Sequence, residues 1–416
     1  MNKVISVLFS GLLVALSLSG TVAVGAPQKN LIAFNFGCNA LSAAVDVSPG
    51  TFYSDSKGYG FEPGSRLVAT NGCITSDKPF YFSVKLPEGN YLVTVTLGNQ
   101  ASPSATTVKA ELRRLMLYHI QTVPGQLVTR EFVVNIRTPK IAGDGVVRLK
   151  ERERTDEWRD WDDKLTIEFD DARPCIETMM IQKVNVPTVF ILGDSTVCDQ
   201  PHEPWNSWGQ MLPVFFKPAV AIANNAESGE TLADSIARNR FKKVFSLMKA
   251  GDYLFIQFGH NDMKDRRPNA LERFETNLEA VVGQTVRAGG TPVLVTSMER
   301  KAGVNRPTLD GYPDAMREIA LREKCALIDL NAMSVEFYKA LGPNLDKAFV
   351  DGTHHNNYGS YELAKCVVQG IEQTRLPLVK YISGNFKGFD PKHPDPVNTF
   401  YMPASPARSM AKPLGN

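Results

Sequence analysis

Cysteine is scarce in this chain, and its scarcity excludes one class of secreted folds. The 416 residues include only six cysteines: Cys38, Cys73, Cys175, Cys198, Cys325 and Cys366. This number is too small for a disulfide scaffold of the kind that replaces a hydrophobic core in compact secreted domains. Cys38 and Cys73 are candidates for one disulfide in an oxidising compartment, and buried free thiols are the alternative. The fold must therefore depend on hydrophobic cores.

An excess of charge of either sign is also lacking. The formal net charge is +2, with 46 basic and 44 acidic side chains. Nucleic-acid-binding proteins carry a concentrated basic face, which this sequence does not show, so we expect no nucleic-acid partner. Apolar residues make up 43% and charged residues 22% of the chain. These values are typical of globular proteins, and the length allows two domains with separate cores.

The N-terminal segment has the composition of a targeting sequence. Residues 1–26 contain a single lysine, an apolar core from Val4 to Leu18, and small residues that lead to Ala26. This pattern predicts a secretory signal peptide that is cleaved after Ala26. The apolar core is too short for a convincing membrane span, and no cysteine follows it. We therefore expect a secreted or periplasmic protein without a membrane anchor.

The pattern of the remaining chain changes near residue 185. Residues 27–184 contain short alternating apolar and polar runs separated by turn residues, which predicts a β-sandwich domain. Within this region, Tyr81–Leu86 and Tyr91–Leu97 are separated by Pro87-Glu88-Gly89-Asn90. This short connection predicts a hairpin between the two strands.

Residues 185–380 have the pattern of an α/β domain. Five apolar runs suited to buried parallel strands alternate with helical stretches: Thr188–Leu192, Ala219–Ala223, Tyr253–Phe258, Pro292–Thr296 and Ala326–Leu330. This alternation predicts a five-stranded parallel sheet with helices on both faces. The loops that follow the strands should open at one edge of the sheet, where ligands bind in such folds.

Residues 381–416 form a tail rich in proline and aromatic side chains. We expect it to form no helix or sheet and to wrap back over the two domains, with a disordered linker as the alternative.

Two of the predicted loops carry a candidate nucleophile and base. Asp194 and Ser195 follow the first strand, and Asp351 and His354 precede the last helix. A serine hydroxyl needs a base to accept its proton, and the base works best when a third group fixes its tautomer. We therefore predict Ser195 as nucleophile, His354 as base and Asp351 as the group that orients His354.

The other loops carry candidate donors for an oxyanion hole. Attack on an ester places negative charge on oxygen, which requires hydrogen-bond donors already in place. The backbone N–H groups of Ser195 and Gly229 and the side-chain amide of Asn261 are the candidates. Asp194 and Asp262, beside Ser195 and Asn261, are expected to support them.

Each of these motifs also has a plainer interpretation. Asp194-Ser195 and Asn261-Asp262 are compatible with helix caps, and Gly229 with an ordinary turn glycine. His354-His355 with Asp351 would suit a metal, since histidine and carboxylate are common ligands. No second cluster supplies the remaining ligands, so we expect neither a metal nor another cofactor.

Together the motifs resemble those of the GDSL-type, or SGNH, serine hydrolases. The matching segments, in order, are Gly193-Asp194-Ser195, Gly229, Gly259-His260-Asn261-Asp262 and Asp351-Gly352-Thr353-His354. The resemblance implies a flavodoxin-like three-layer fold, the Ser195, His354 and Asp351 roles given above, and an oxyanion hole of Ser195, Gly229 and Asn261. The Gly-x-Ser-x-Gly elbow of α/β-hydrolases is absent.

Within that superfamily, the motifs look most like those of rhamnogalacturonan acetylesterases. The β-rich region, with Gly58-Tyr59-Gly60-Phe61, is similar to the galactose-binding-like modules attached to bacterial members. The resemblance implies removal of O-acetyl groups from pectin through an acetyl-enzyme, so that the partner is an acetylated plant cell-wall polysaccharide. The alternatives are an esterase that acts on acetylated xylan or small acyl esters, and a carbohydrate-binding protein whose serine site has decayed.

One segment departs from the family pattern. Fungal relatives often have Gly-Arg-Ser where this chain has Gly229-Glu230-Thr231, so a cation that would meet a uronate is missing at this point. Lys264 and Arg300, which follow the third and fourth strands, are candidate substrate-binding residues in its place.

Overall fold

The computed structural model describes residues 31–37, 41–70 and 72–413. The predicted signal peptide, residues 1–26, and Cys38 lie outside the described residues. The predicted fold class is confirmed, because an all-β region precedes a three-layer α/β region with a five-stranded parallel sheet. None of the helices in the described ranges is both long enough and apolar enough to cross a membrane.

The β-rich region consists of short strands. In chain order they are β1 (Leu31–Asn35), β2 (Val45–Asp46), β3 (Tyr59–Phe61), β4 (Val68–Thr70), β5 (Cys73–Thr75), β6 (Phe80–Lys85), β7 (Gly89–Gly98), β8 (Ser104–Ala110), β9 (Arg114–Thr122), β10 (Leu127–Ile136), β11 (Lys164–Arg173), β12 (Cys175–Ile176) and β13 (Thr178–Lys183). They form two five-stranded sheets, ordered β10-β7-β13-β1-β2 and β3-β6-β11-β8-β9, and a small sheet ordered β12-β5-β4.

Aromatic side chains fill the core between the two larger sheets. The ring of Phe82 lies 5.1 Å, centroid to centroid, from the rings of both Phe34 and Phe61 in edge-on contacts. Phe61 is fully buried, so this aromatic residue of the Gly58-Tyr59-Gly60-Phe61 motif packs in the sandwich core. Burial of large aromatic side chains is a main source of stability for a domain of this size.

The hairpin expected between Tyr81–Leu86 and Tyr91–Leu97 is wrong. Strand β6 pairs with β3 and β11, whereas β7 pairs with β10 and β13 in the other sheet. The short connection therefore carries the chain from one sheet to the other. Alternation shows that a strand buries one face, but both sheets of a sandwich bury one face, so it does not identify the partner strand.

Cys38, one half of the candidate disulfide, lies outside the described residues, and Cys73 lies beside a different cysteine. The Cys73 Sγ atom lies 3.1 Å from Cys175 Sγ, and both residues are buried free thiols. Because β12 pairs with β5, these two residues are brought together although they are distant in sequence.

The α/β region is built on five parallel strands: β14 (Thr188–Gly193), β15 (Ala221–Asn224), β16 (Tyr253–Gln257), β17 (Thr291–Val295) and β18 (Ala326–Ile328). Their order is β15-β14-β16-β17-β18, and every pair is parallel. This is the flavodoxin-like order, in which the chain reverses direction across the sheet beside the first strand. The carboxyl end of β14, where Ser195 follows, is therefore at the topological switch point.

Eight α-helices are described: α1 (Glu151–Thr155), α2 (Trp208–Met211), α3 (Leu232–Ala237), α4 (Arg240–Leu247), α5 (Ala270–Arg287), α6 (Tyr312–Arg322), α7 (Leu330–Leu341) and α8 (Asn357–Thr374). Helices α2, α7 and α8 pack on one face of the parallel sheet, and α3 to α6 pack on the other. Residues of β14 contribute to both cores, Ile191 to one and Leu192 to the other, which explains its continuous apolar run.

The described part of the tail runs across both regions. Residues 383–413 contain no helix or strand. The Tyr118 hydroxyl donates to the Tyr401 carbonyl, and the buried Lys109 ammonium donates to the Pro403 carbonyl over 2.8 Å. These contacts fasten the tail to strands β8 and β9 of the sandwich.

Candidate active site

The nucleophile turn begins at a glycine with no room for a side chain. A Cβ atom on Gly193 would lie 2.8 Å from the Gln257 carbonyl oxygen and 2.7 Å from Val197 Cγ2. The tight turn then places Ser195 just beyond the end of β14, with 4% of its surface exposed. The side chain of Asp194 stabilises the turn by accepting bonds from the Thr196 N–H and hydroxyl, at 2.9 and 2.8 Å.

Asp194 is also bonded to a histidine from the third loop. Its second carboxylate oxygen lies 3.3 Å from His260 Nδ1. Burial alone would raise the pKa of Asp194, but His260 and the bonds from Thr196 outweigh it and hold this pKa below its ordinary value. An ionised Asp194 therefore joins the loop that carries Ser195 to the loop that carries Asn261.

Ser195, His354 and Asp351 form a continuous hydrogen-bonded chain. His354 Nε2 lies 2.8 Å from Ser195 Oγ, and His354 Nδ1 lies 3.1 Å from Asp351 Oδ2. A carboxylate on Nδ1 favours the tautomer with its proton on that nitrogen, so that Nε2 is unprotonated and can accept the serine proton. The structure thus brings the predicted nucleophile, base and orienting group together in the predicted order.

Asp351 is fixed by its own turn. Its Oδ1 atom accepts the backbone N–H groups of Thr353 and His354, both at 2.7 Å. Partial burial raises the pKa of Asp351, but bonds from the side chain and backbone of His354 and from Thr353 outweigh it and hold this pKa well below its ordinary value. Asp351 is therefore a carboxylate over the range in which esterases work.

His355 does not join this arrangement. Its Nε2 atom lies 2.9 Å from the Tyr338 hydroxyl, and its ring lies 4.2 Å, centroid to centroid, from Phe349. Burial lowers the pKa of His355 to about 3, so its imidazole is neutral. The alternative of a metal held by His354 and His355 with Asp351 is therefore wrong in geometry, and the described residues contain no group of three potential ligands placed to hold a metal ion.

Gly229 follows β15 in a conformation that suits glycine. Its φ angle is +72°, in the left-handed region that residues with a Cβ atom rarely adopt. Within the described residues, neither the Gly229 N–H nor the Ser195 N–H has a protein acceptor. Gln200 ties the two loops together, since its Nε2 atom donates to the Ser195 carbonyl at 2.6 Å and to Ser228 Oγ at 3.3 Å.

The amide of Asn261 has a fixed orientation. Its Nδ2 atom donates to the Glu230 carbonyl at 3.0 Å, and its Oδ1 atom accepts from Lys264 Nζ at 2.9 Å. A carbonyl can only accept and an ammonium can only donate, so these two partners determine which end of the amide is nitrogen. One hydrogen of Nδ2 is used by Glu230, and the second is the predicted donor to the oxyanion.

Asp262, the residue after Asn261, bonds to backbone groups on two loops of the site. Its carboxylate accepts the Leu232 N–H at 2.9 Å and the Gly259 N–H at 3.0 Å. Burial raises the pKa of Asp262 to about 7 despite these bonds. Asp262 therefore joins the start of α3 to the loop that carries Asn261.

The two candidate substrate-binding cations contact protein groups of the site. Lys264 holds Asn261, as described above. Arg300 donates to the Thr353 hydroxyl and, over 3.1 Å, to the His260 carbonyl. Both residues thus hold loops of the site, and substrate contact by either of them stays a prediction.

Sequence reasoning missed several side chains that shape the site. Gln200 links two loops, and the Trp205 ring stands edge-on to His354 with 5.6 Å between centroids. Lys150 and Arg152, from outside the α/β region, contact the loop of Gly229. From its sequence, His260 was expected to be solvated or to support other residues of the site, and its bond to Asp194 is such a supporting role. The other contacts have no local sequence pattern that would predict them.

Comparison with known proteins identifies the family of the chain. Residues 191–360 match the GDSL-like lipase/acylhydrolase family. Over 216 residues, 47% of this chain, the sequence is 35% identical to the rhamnogalacturonan acetylesterase RhgT of Bacillus subtilis, and the match covers 93% of RhgT. The chain belongs to the GDSL-like lipase/acylhydrolase family. The prediction that the protein is an ester hydrolase is thereby confirmed.

A second relative of this GDSL-family chain spans both regions. The uncharacterised esterase YxiM of Bacillus subtilis is 26% identical over 391 residues, which cover 87% of this chain and 96% of YxiM. A crystal structure of YxiM matches with a TM-score of 0.45 and 23% identity, covering 83% of this chain and 99% of that one.

Proposed function

We propose that this GDSL-family protein is a secreted or periplasmic esterase that removes O-acetyl groups from pectin, with acetylated rhamnogalacturonan as its substrate. The observation that carries the proposal is the unbroken chain from Ser195 Oγ through His354 to Asp351. The 35% identity to RhgT over 216 residues supports the substrate. The predicted signal peptide supports the location, because a polysaccharide of this kind lies outside the cell.

Acylation begins with transfer of the Ser195 hydroxyl proton to His354 Nε2. Ser195 Oγ then attacks the acetyl carbonyl carbon, and the carbonyl oxygen becomes an oxyanion. The N–H groups of Ser195 and Gly229 and the free amide hydrogen of Asn261 stabilise that charge. His354 returns the proton to the sugar oxygen as the carbon–oxygen bond breaks, which leaves the acetyl group on Ser195.

Deacylation repeats the same steps with water. His354 removes a proton from water, the hydroxide attacks the acetyl carbonyl, and His354 then protonates Ser195 Oγ as acetic acid leaves, which ionises to acetate in the solvent. Asp351 remains ionised throughout and stabilises the imidazolium form of His354. These steps balance without any cofactor.

A decayed carbohydrate-binding protein would not need this geometry. A site under no demand for catalysis has no reason to keep Asp351 capped by two backbone N–H groups or His354 within 2.8 Å of Ser195. Activity on acetylated xylan or small acyl esters uses the same residues, so these alternatives become outcomes of the substrate test.

Acetate release from a panel of acetylated polysaccharides tests the proposal. We expect release from acetylated rhamnogalacturonan to exceed release from acetylated xylan, and the Ser195→Ala variant to release none above background. Ser246→Ala, a serine on α4 whose hydroxyl bonds the Lys243 carbonyl, is the matched control. Faster release from xylan would replace the proposed substrate, and an unimpaired Ser195→Ala variant would overturn the mechanism.

A further inference from the structure

The Gly229 N–H belongs to a peptide whose opposite end is held by a distant lysine. Lys150 lies just before α1, in the connection between β10 and β11 of the sandwich, and its Nζ atom donates to the Ser228 carbonyl oxygen at 2.5 Å. That carbonyl and the Gly229 N–H are the two ends of one peptide unit. The same Nζ atom lies 2.7 Å from Glu230 Oε1, so Lys150 contacts the residue on each side of Gly229.

Because of the geometry of the peptide, this contact determines the direction of the Gly229 N–H. The peptide is planar and trans, so its C=O and N–H point in opposite directions. When the carbonyl oxygen is fixed on Lys150, the N–H must point away from Lys150. A cation on the oxygen also polarises the peptide and strengthens its N–H as a donor.

The surroundings hold Lys150 firmly in this position. Its side chain is 14% exposed, and the Glu230 side chain is fully buried. Glu230 also accepts from Ser235 Oγ at 3.0 Å and pairs with Arg240 Nε at 3.5 Å. A lysine that served only as a surface ion pair would have neither this burial nor a backbone carbonyl as a second partner.

The connection between β10 and β11 is itself anchored beside the site. Glu153 of α1 makes a two-point ion pair with Arg240, with Nη1 and Nη2 at 3.0 and 2.7 Å from its oxygens. Arg152 places Nε 3.4 Å from Glu227 of the same loop. Paired, buried contacts of this kind fix the position of the connection between β10 and β11 beside the loop of Gly229.

We propose that Lys150 is a positioning residue of the oxyanion hole, which orients and polarises the Ser228-Gly229 peptide. Lys150 does not touch the reacting atoms and acts through the Gly229 N–H. The inference rests on the proposed esterase mechanism and deepens it. It also makes the connection between β10 and β11 of the sandwich a part of the active site.

The test compares Lys150→Met, Lys150→Gln and Lys150→Arg in the full chain, with 4-nitrophenyl acetate as substrate. Loss of a complete oxyanion donor costs about 10²- to 10³-fold in kcat, so a misaligned donor should cost about tenfold to a hundredfold. We expect Lys150→Met to lower kcat by that factor with KM changed less than about twofold. Lys150→Arg should recover most of kcat, and Lys150→Gln, which keeps a donor without charge, should lie between them.

Lys243→Met is the matched control. Lys243 is another buried lysine that bridges the two regions, and it pairs with Glu88 Oε1 at 2.6 Å and donates to the Lys140 carbonyl. Its partners lie outside the loops of the site. We expect Lys243→Met to lower the melting temperature and leave kcat per folded molecule unchanged.

Three outcomes would overturn the inference: an unchanged kcat in Lys150→Met, an equal loss of kcat in Lys243→Met, or a loss that Lys150→Arg does not recover. If Lys150→Met fails to fold, Lys150→Gln and Lys150→Arg still give the comparison. Failure of the proposed function is separate, because it would appear as residual turnover in Ser195→Ala whatever happens at Lys150.

Discussion

The two halves of the candidate site are built in different ways. The base half consists of His354 and Asp351, and its contacts are local. Asp351 accepts N–H groups from Thr353 and His354 and orients the His354 ring within one turn of chain. The donor half consists of the N–H groups of Ser195 and Gly229 and the amide of Asn261, and it depends on a contact between distant segments. The peptide before Gly229 is held by Lys150, a residue 78 positions from Ser228. A carboxylate and imidazole can be fixed by one turn, whereas the direction of a peptide N–H depends on what holds its carbonyl.

This difference also separates two kinds of charge. The charge of the base half is part of the chemistry, since Asp351 faces the imidazolium that forms on His354. The charges of the donor half lie behind the reacting groups and act through them: Lys264 through the Asn261 amide, and Lys150 through the Gly229 peptide. Removal of a charge should therefore cost more in the base half than in the donor half.

Asp351→Asn should give the largest effect among the charge changes. An amide at this position can still accept the backbone N–H groups, but it no longer favours the tautomer of His354 that accepts the serine proton. We expect kcat for 4-nitrophenyl acetate to fall by about 10³- to 10⁴-fold. Asp346→Asn, in an exposed ion pair with Lys301, is the control and should retain activity. A fall in kcat of less than tenfold in Asp351→Asn would contradict the role of Asp351 as the group that orients His354.

Asn261→Ala should come second. It removes a donor and leaves the base half intact, so we expect kcat to fall by about 10²- to 10³-fold while the affinity for substrate changes little. Steady-state kinetics of this variant beside Asn385→Ala, at an exposed tail position, give the comparison. Equal kcat in the two variants would exclude Asn261 from the oxyanion hole.

Lys264→Met should have a smaller effect of the same kind. The amide of Asn261 loses the partner of its oxygen but keeps the Glu230 carbonyl as the partner of its nitrogen. We expect a fall in kcat of about tenfold, less than for Asn261→Ala because the donor itself remains. In the Asn261→Ala background the same change should have no further effect, since Lys264 then has no amide to orient. Additive losses in the double variant would mean that Lys264 acts independently, for example on substrate.

His355→Gln should affect stability and not catalysis. The pKa of His355 is lowered to about 3 by burial, so the folded state binds fewer protons than the unfolded state between pH 3 and the ordinary histidine value. The stability contributed by neutral His355 is therefore present at pH 7 and is lost as the pH falls through this window. Melting temperatures at pH 7, 5 and 4 should fall less steeply in His355→Gln than in the wild type, with kcat at pH 7 nearly unchanged. A fall equally steep in both proteins would contradict a buried neutral His355.

The contrast between local contacts and contacts of distant segments also explains which features were predictable from the sequence. Ser195, Asp351 and His354 were predictable because a serine at the end of an apolar strand and an Asp-x-x-His turn are local patterns, and a parallel sheet brings its loops to one edge. The five parallel strands were predictable from their continuous apolar runs, which burial on both faces requires.

Contacts between distant segments were not predictable in this way. The basic side chains near Glu227 and Glu230 come from the connection between β10 and β11 and from α4, and nothing in the residues around Lys150 distinguishes it from a solvated lysine. The pairing of β6 with β7 was predicted wrongly because it too is a contact between segments. The alternation of apolar and polar residues shows that a strand buries one face, but it does not show which strand lies beside it.

The central claim is that Ser195 carries the acetyl group during turnover. Mass spectrometry of the wild-type protein, acid-quenched within the first turnovers of 4-nitrophenyl acetate and digested, tests it most directly. The mechanism predicts one acetyl group on the peptide that contains Ser195, and none on that peptide in Ser195→Ala. Continued turnover with an unmodified Ser195, or with the acetyl group on another residue, would contradict it.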